Sequence, residues 1–568
     1  MFSSLPHSVA EFMDWPWSQM EPYVAELAER PFNSETLSAW MADWTRIHDL
    51  ISEMYSRLSV ATTVDTTDKE AERRYNNYLD EIYPRANEWD QKLKERLLAS
   101  GLEPKGFTVP LRNMRTEAAL FRQENLSLES EELKLGTEFD KIIGAQTVEW
   151  EGQERTISQL RPVYLDTDRD KREAAWRLGA QRQLADRQKL NELFNKFLKI
   201  RRQMAANADF PDYRAFRWQQ YLRFDYTPEN CRQFHAAIEQ VVVPAAEKIY
   251  EKRRARLGVD TLRPWDLDVD PYRRTPLRPF EDTQVLEGTV ESIFHKVDNQ
   301  LGEYFSTMRR ENLLDLDNRK GKAPGGYCTD FATAKRPFIF MNAVGLHDDV
   351  QTLLHEGGHA FHVFETASLP YHQQLQVPME FAEVASMAME LLSAPYLTAD
   401  QGGFYSPADA ARARIEHLEG SIQFWPYMAV VDAFQHWVYE NPDAATDPVQ
   451  CDHTWKDLWA RFMRGVDWSG LEDELMTGWH RKLHIFQVPF YYVEYGLAQL
   501  GAMQVWRNAI QNQSQAVANY RKALALGTTV TLPELYAAAG AKFAFDPLTL
   551  GLAVDLAMKT IDELETVG

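Results

Sequence analysis

Along most of this chain, apolar residues recur at helical spacing. From Ser34 to Val64 ("SETLSAWMADWTRIHDLISEMYSRLSVATTV"), Leu37, Trp40, Met41, Trp44, Ile47, Leu50 and Ile51 fall on one stripe. That pattern predicts a helix with Ser34 as its cap. The stretch "EAERRYNNYLDEIYPRANEWDQKLKERLLASG" reads as a helix broken near Pro84 and closed by Gly101. Arg169 to Ala206 reads as one long helix with an exposed side. Alternation of apolar and polar residues is rarer. It flanks Glu151-Gly152 in "AQTVEWEGQERTISQL", which predicts a small hairpin near 146–158. "GGYCTDF" and "RPFIFMN" read as two further short strands, and the Pro-rich, charged stretch 260–282 as an extended connection. The fold class is therefore mainly α with a few short β-strands. A soft boundary near residue 200 separates an N-terminal helical part, 1–200, from a part carrying the chemistry, 201–568.

Bulk properties narrow the function. At 568 residues the chain exceeds one ordinary core. With 44% hydrophobic residues, 26% charged residues and 16 Trp, it can bury ample apolar surface. The net charge of −22 argues against nucleic acid and against an anionic membrane as partners. The N-terminus has no basic start followed by an apolar run, and no 18 apolar residues stand uninterrupted. Three widely spaced cysteines give no disulfide framework and no cysteine-based metal motif. Together these features suit a cytoplasmic protein.

The chemistry concentrates in "DDVQTLLHEGGHAFH", Asp348 to His362. On a helix, His355 and His359 share one face, where both imidazoles can reach one zinc ion. Glu356 projects beside them and can act as general base on a water in the open coordination position. A helix with two incidental histidines is the plain alternative. Gly357 and Gly358 count against it, since each costs roughly 1 kcal/mol inside a helix. A third ligand is expected from the next helix, "VPMEFAEVASMAMELL", whose apolar faces mark it as buried. Its carboxylates, Glu380, Glu383 and Glu390, need a positive partner there. Glu383 is the expected ligand, and Glu390 the expected orienter of a ligand histidine.

With these residues in place, the chain resembles the thimet-oligopeptidase-like family of zinc metallopeptidases, and within it the oligoendopeptidase F branch. "HEGGHAFH", "FAEVASMAME", "PFIFMNAVGLHDDVQTLLHE", "GKAPGGYC" and "VPFYYVEYGLAQLGAMQVW" carry the resemblance. It covers most of 200–560, with a weaker echo in 110–200. It implies a helical bowl with a deep substrate channel, walled in part by the N-terminal helices. It also implies one Zn2+ per chain, held by His355, His359 and Glu383, and short peptide substrates. His484 and the tyrosines near it are implied as oxyanion donors and substrate contacts, with Tyr492 and Tyr495 first and Tyr491 next. On the residues alone, an aromatic core helix is the favoured reading of those tyrosines, and the resemblance reverses that. The glycine-rich stretch, with Gly325 and Gly326, reads as a cleft wall that meets a peptide backbone, and a simple turn is its alternative.

The function that follows is a zinc-dependent endopeptidase, a metalloprotease acting on short unfolded oligopeptides. A zinc carboxypeptidase or dipeptidyl carboxypeptidase on a related scaffold is one alternative; it would need a cation such as Arg336 or Arg481 in the channel. A peptide-binding protein without turnover is another, and Glu356 counts against it. Neither oligomeric state nor cleavage specificity can be read from the sequence.

Overall fold

The computed structural model describes residues 1–319, 321–323 and 325–567. Of the chain, 69% is helical, and the strands are few and short. Near the N-terminus, helix α1 (Leu37–Val64) buries Leu37, Trp40, Met41, Trp44, Ile47 and Leu50, the stripe expected from periodicity. It starts at Leu37, and Ser34 is not its cap. Instead, Asn33 Oδ1 accepts the Glu35 and Thr36 amides at 2.9 and 3.1 Å and closes the turn ahead of the helix. Around it lies an apolar core that runs from Phe2 to Met114. The helices Lys69–Asn77 and Tyr83–Ser100 join through a π-helical turn at Tyr78–Ile82, just ahead of Pro84. Gly101, at φ 66°, ends the second of them.

Strands β1 (Thr147–Trp150) and β2 (Gln153–Thr156) pair antiparallel. Glu151 and Gly152 turn between them with φ of 52° and 75°, as a two-residue hairpin requires. The following segment is not one helix. It divides into α2 (Arg169–Leu184) and α3 (Arg187–Asn207). The division falls at Asp186, which is buried and accepts hydrogen bonds from Gln146 Nε2 (3.2 Å), Arg182 (2.7 Å) and Lys189 (3.0 Å). Pulling that carboxylate inward to Gln146 ties the helix pair to the hairpin and breaks the helical run.

The remainder forms a second, much larger apolar core. It takes in Leu135, Phe139 and the buried face of α3, and helix α4 (Pro228–Ala237) joins it next. A three-stranded sheet follows, with β3 (Leu314–Asp317), β4 (Tyr327–Phe331) and β5 (Arg336–Ala343) in the order β3-β5-β4. β3 runs parallel to β5 and β4 antiparallel to it, which leaves β4 at an edge. Sequence periodicity did not indicate β3, a four-residue strand directly after a helix. Helix α5 (His347–Thr366) packs on the sheet, α6 (Met379–Ser393) packs on α5, and α8 (Val493–Gln511) packs on both α6 and α7 (Pro407–Glu440). The contact of α5 with α6 is close enough to need glycine. A Cβ on Gly358 would run into the Ala385 carbonyl and the Ser386 Cα.

Candidate metal centre

Helix α5 presents His355 and His359 one turn apart, and α6 presents Glu383 opposite them. His355 Nε2 lies 3.4 Å and His359 Nε2 3.7 Å from Glu383 Oε2. The three donor atoms all fall within 4.8 Å of one another. Two imidazole nitrogens and one carboxylate oxygen are a donor set that suits Zn2+. Ligands at about 2.0–2.1 Å from a tetrahedral centre stand about 3.4 Å apart, which matches these separations.

A second layer holds the ligands in place. Glu390 Oε1 meets His355 Nδ1 at 2.6 Å, which leaves Nε2 turned to Glu383. Glu390 Oε2 meets His417 Nε2 of α7 at 2.8 Å. Ser386 Oγ donates to Glu383 Oε2 at 3.1 Å. The electrostatics also fit a cation. Burial raises the Glu390 carboxyl, but hydrogen bonds from His355 and His417 outweigh it and hold the group at about 2. Burial opposes protonation of His355, but its bonds to Glu383 and Glu390 reverse that and raise it well above the ordinary range. Burial pulls the His359 imidazole down to about 4. Glu356, Glu383 and Glu390 thus bring three carboxylates to two ligand histidines, an excess of acidic groups that a cation would offset.

Glu356 is 8% exposed and follows His355 directly. Burial pushes its carboxyl up to about 7, and Glu383 and Glu390 add to the rise. The backbone amide of Cys328, on edge strand β4, hydrogen-bonds Glu356 and works the other way. A cation between the histidines would favour the ionised form, because opposite charge lowers a carboxyl pKa.

These groups line a cavity of about 640 Å³. Its walls include Gly326 to Asp330 of the β4 edge, Tyr371 and His372, and Thr45 and Asp49 of α1. Gly325 turns the chain into β4 at φ 96°, and Asn342 Nδ2 holds its carbonyl at 3.0 Å. Pro324 of the glycine-rich stretch lies outside the described residues. Lys335 is the one lysine or arginine lining the cavity among the described residues, and its Nζ donates to the Ala367 carbonyl at 2.7 Å. Arg336 pairs with Glu311 at 2.7 Å, and Arg481 donates to the Glu474 carbonyl at 3.3 Å; neither lines the cavity.

The tyrosine segment departs from a single helical face. Phe490 adopts φ 69°, and α8 starts only at Val493. Gln435 Oε1 accepts the Phe490 amide at 2.7 Å, and Arg223 Nη2 donates to its carbonyl at 2.7 Å. Tyr491 and Tyr492 therefore precede the helix, and their directions differ from those of helical neighbours. Tyr495 lines the cavity with the metal triad, and burial pushes its hydroxyl up to about 12, with Glu383 adding to the rise. The Tyr491 ring stacks edge-on against Tyr495 with centroids 5.3 Å apart. Burial raises its hydroxyl, and Tyr495, Glu494 and Glu383 add to that. Tyr492 is 6% exposed, and its hydroxyl takes a hydrogen bond from Lys482 Nζ at 2.8 Å. Its ring packs against Phe424 and Tyr427, and it does not line the cavity. Of the three tyrosines in this segment, Tyr495 lines the cavity, and Tyr491 and Tyr492 do not. His484 stands 6.1 Å from Tyr495 between ring centroids, and burial pulls its imidazole down to about 4.

Sequence reasoning missed His417 and the Cys328 amide. His417 lies on α7, at no motif spacing from Glu390. A backbone donor on β4 has no side-chain signature. His362 is buried at the cavity wall, and among the described residues its Nε2 has no hydrogen-bond partner.

Comparison with known proteins converges on one family. The pattern of peptidase family M3 matches residues 164–547, and that of the peptidase M3 N-terminal domain matches residues 11–117. An oligoendopeptidase F homolog of Borreliella burgdorferi is 23% identical over 329 residues, 56% of this chain and 51% of that protein. Oligopeptidase PepF of Bacillus subtilis is 22% identical over 327 residues, 57% of this chain and 47% of that protein. The chain therefore aligns with about half the length of these curated relatives. A solved structure of PZ peptidase A with inhibitor 2 superposes at a TM-score of 0.87, with 27% identity over 99% of both chains.

Proposed function

Because the chain belongs to peptidase family M3, a family of metallopeptidases, we propose that it is a zinc-dependent endopeptidase that cuts short unfolded oligopeptides. The single observation that carries this reading is the meeting of His355, His359 and Glu383 beside a buried Glu356 at the wall of one cavity. One Zn2+ per chain would be held by those three residues. When bound, the ion supplies Lewis acidity that brings a water pKa to about 7.

The chain's own residues do the rest. Glu356 takes a proton from the attacking water and returns it to the leaving amine. Glu390, itself held by His417, keeps His355 in one orientation and one tautomer. The Tyr495 hydroxyl, with Tyr491 and His484 behind it, donates to the oxyanion that develops at the attacked carbonyl. The free edge of β4 offers backbone donors and acceptors to an extended peptide, with Gly325 and Gly326 keeping the approach open. A cavity of about 640 Å³ admits such a strand and excludes a folded domain. Internal cleavage is favoured over C-terminal trimming because Lys335, which is tied to the Ala367 carbonyl, is the cavity's one lysine or arginine among the described residues.

Residues 1–200 would form one wall of the channel and 201–568 the catalytic body, since α1 contributes Thr45 and Asp49 to the cavity. Cytoplasmic peptide turnover is the biological setting we infer. No helix among the described residues is long and apolar enough to cross a membrane, and the three cysteines are unpaired.

The test is hydrolysis of an internally quenched peptide with both ends blocked. The wild-type chain should cut it, and Glu356→Gln should lose roughly 10²–10⁴-fold in kcat with its metal content unchanged. Glu356→Gln cutting at the wild-type rate would remove the general-base role. A wild-type chain that cuts only peptides with a free C-terminus would replace endopeptidase by terminal trimming.

A further inference from the structure

Among the described residues, a second group of side chains can gather around a metal ion, away from the cavity. Helix α4 carries Cys231 and His235, four residues apart. Helix α7 carries Asp432 and His436, also four apart, and the two pairs face each other. All four are buried, with Cys231 and Asp432 at 0% exposure, His436 at 3% and His235 at 4%. The donor atoms of Cys231, Asp432 and His436 lie within 4.8 Å of one another. We propose that Cys231, Asp432 and His436 form a buried structural site for Zn2+ or a chemically similar divalent ion, stapling α4 to α7.

Three observations carry this. The first is spacing. His436 Nε2 stands 3.4 Å from Asp432 Oδ2, the separation seen between His355 and Glu383. That is long for an N–H···O bond, which prefers about 2.9 Å, and suits two ligands of one tetrahedral ion. The second is unmet bonding. Among the described residues, neither His436 Nε2 nor Asp432 Oδ1 has a hydrogen-bond partner, although both residues are sealed from water. Buried polar atoms are seldom left so. The third is charge. One thiolate and one carboxylate balance a dication, so the loaded site is neutral, as a water-free interior requires.

The neighbours fit the same role. His235 Nε2 bonds Asp432 Oδ2 at 2.8 Å and orients the carboxylate. Binding through Nε2 moves the ring proton of His436 to Nδ1 and gives up the 3.4 Å hydrogen bond that Nδ1 accepts from Arg214 Nη1. The guanidinium is then held by Glu440 alone, with which it already pairs. Binding also releases the Cys231 thiol proton. The staple sits beneath the tyrosine turn. The His436 ring packs on Phe490 at 5.2 Å, and Gln435, between Asp432 and His436 on α7, holds the Phe490 amide.

Cobalt reports the site directly, because the catalytic triad has no sulfur ligand. The metal-free chain is loaded with Co2+, and the bound equivalents and near-ultraviolet absorption are read. We expect two equivalents and a thiolate-to-cobalt charge-transfer band in the wild type and in Cys328→Ala. Cys231→Ala should bind one equivalent and lose the band. One equivalent without a thiolate band in the wild type would overturn the proposal. So would a band lost in Cys328→Ala but kept in Cys231→Ala. The wild-type spectrum decides the matter even where a variant misfolds.

Discussion

The two apolar cores of this molecule are built from similar helices but bury different things. The core from Phe2 to Met114 is packed with aromatic and aliphatic side chains such as Trp40, Trp44 and Met41. The buried charge beside it, Glu53 of α1, is spent on structure. It pairs with Arg57 at 2.8 Å and accepts the Ala334 amide at 2.9 Å. The larger core also buries Arg223, Glu380, Glu494, Asp432 and Glu383, with His355 and His359 half-buried beside them. Arg223 lies between Glu380 and Glu494, one on α6 and one on α8, so even its structural ion pairs join the helices that carry Glu383 and Tyr495. Burying charge is costly unless it is paired. Its concentration in one core therefore separates the part that carries the metal triad from the part beside it.

Mutations can break or sharpen this contrast. The largest effect on stability is expected at Trp44, which is 1% exposed and donates to Asp90 at 3.1 Å. Trp44→Ala should cost about 3–5 kcal/mol by urea unfolding. Bound metal should be unchanged, as should kcat at a temperature where the variant is folded. Loss of metal without loss of stability would erase the distinction between the cores.

Tyr495→Phe should show the opposite pattern, with kcat falling about 10²–10³-fold as for a lost oxyanion donor and the unfolding midpoint held. Tyr492→Phe should cost far less in kcat, because its hydroxyl is engaged by Lys482. Equal losses in steady-state assays of the two variants would place both tyrosines at the reacting carbonyl.

Glu390→Gln should be milder. It leaves all three ligands in place and weakens only the hold on His355, so zinc affinity in a competition titration should drop about 10–100-fold. An unchanged affinity would make Glu390 a packing residue rather than an orienting one.

Much of the site was legible in the sequence, for a physical reason. His355, Glu356 and His359 lie within five residues on one helix, and helical geometry alone brings them together. Glu383 and Glu390 were legible because carboxylates on an otherwise apolar helix demand partners. Other features depended on contacts across the fold. The direction of Tyr491 and Tyr492 is set by the left-handed Phe490, which Gln435 and Arg223 hold from two other elements. The split between α2 and α3 follows from the inward pull on Asp186, which no local propensity announces. β3 is as short as β1 and β2, but it pairs in parallel with the distant β5, so no hairpin turn marks it. Cys231 and His436 are far apart in the chain, and only the packing of α4 on α7 makes them neighbours.

The central claim is that a metal held by His355, His359 and Glu383 drives peptide cleavage. Its most direct test is chelator removal of the metal, followed by Zn2+ add-back, with hydrolysis of the doubly blocked peptide as readout. The wild-type chain should fall silent when stripped and recover with Zn2+, while Glu383→Gln should stay silent at the same Zn2+ concentration. A stripped chain that still cuts, or a Glu383→Gln variant that recovers with the wild type, would contradict the claim.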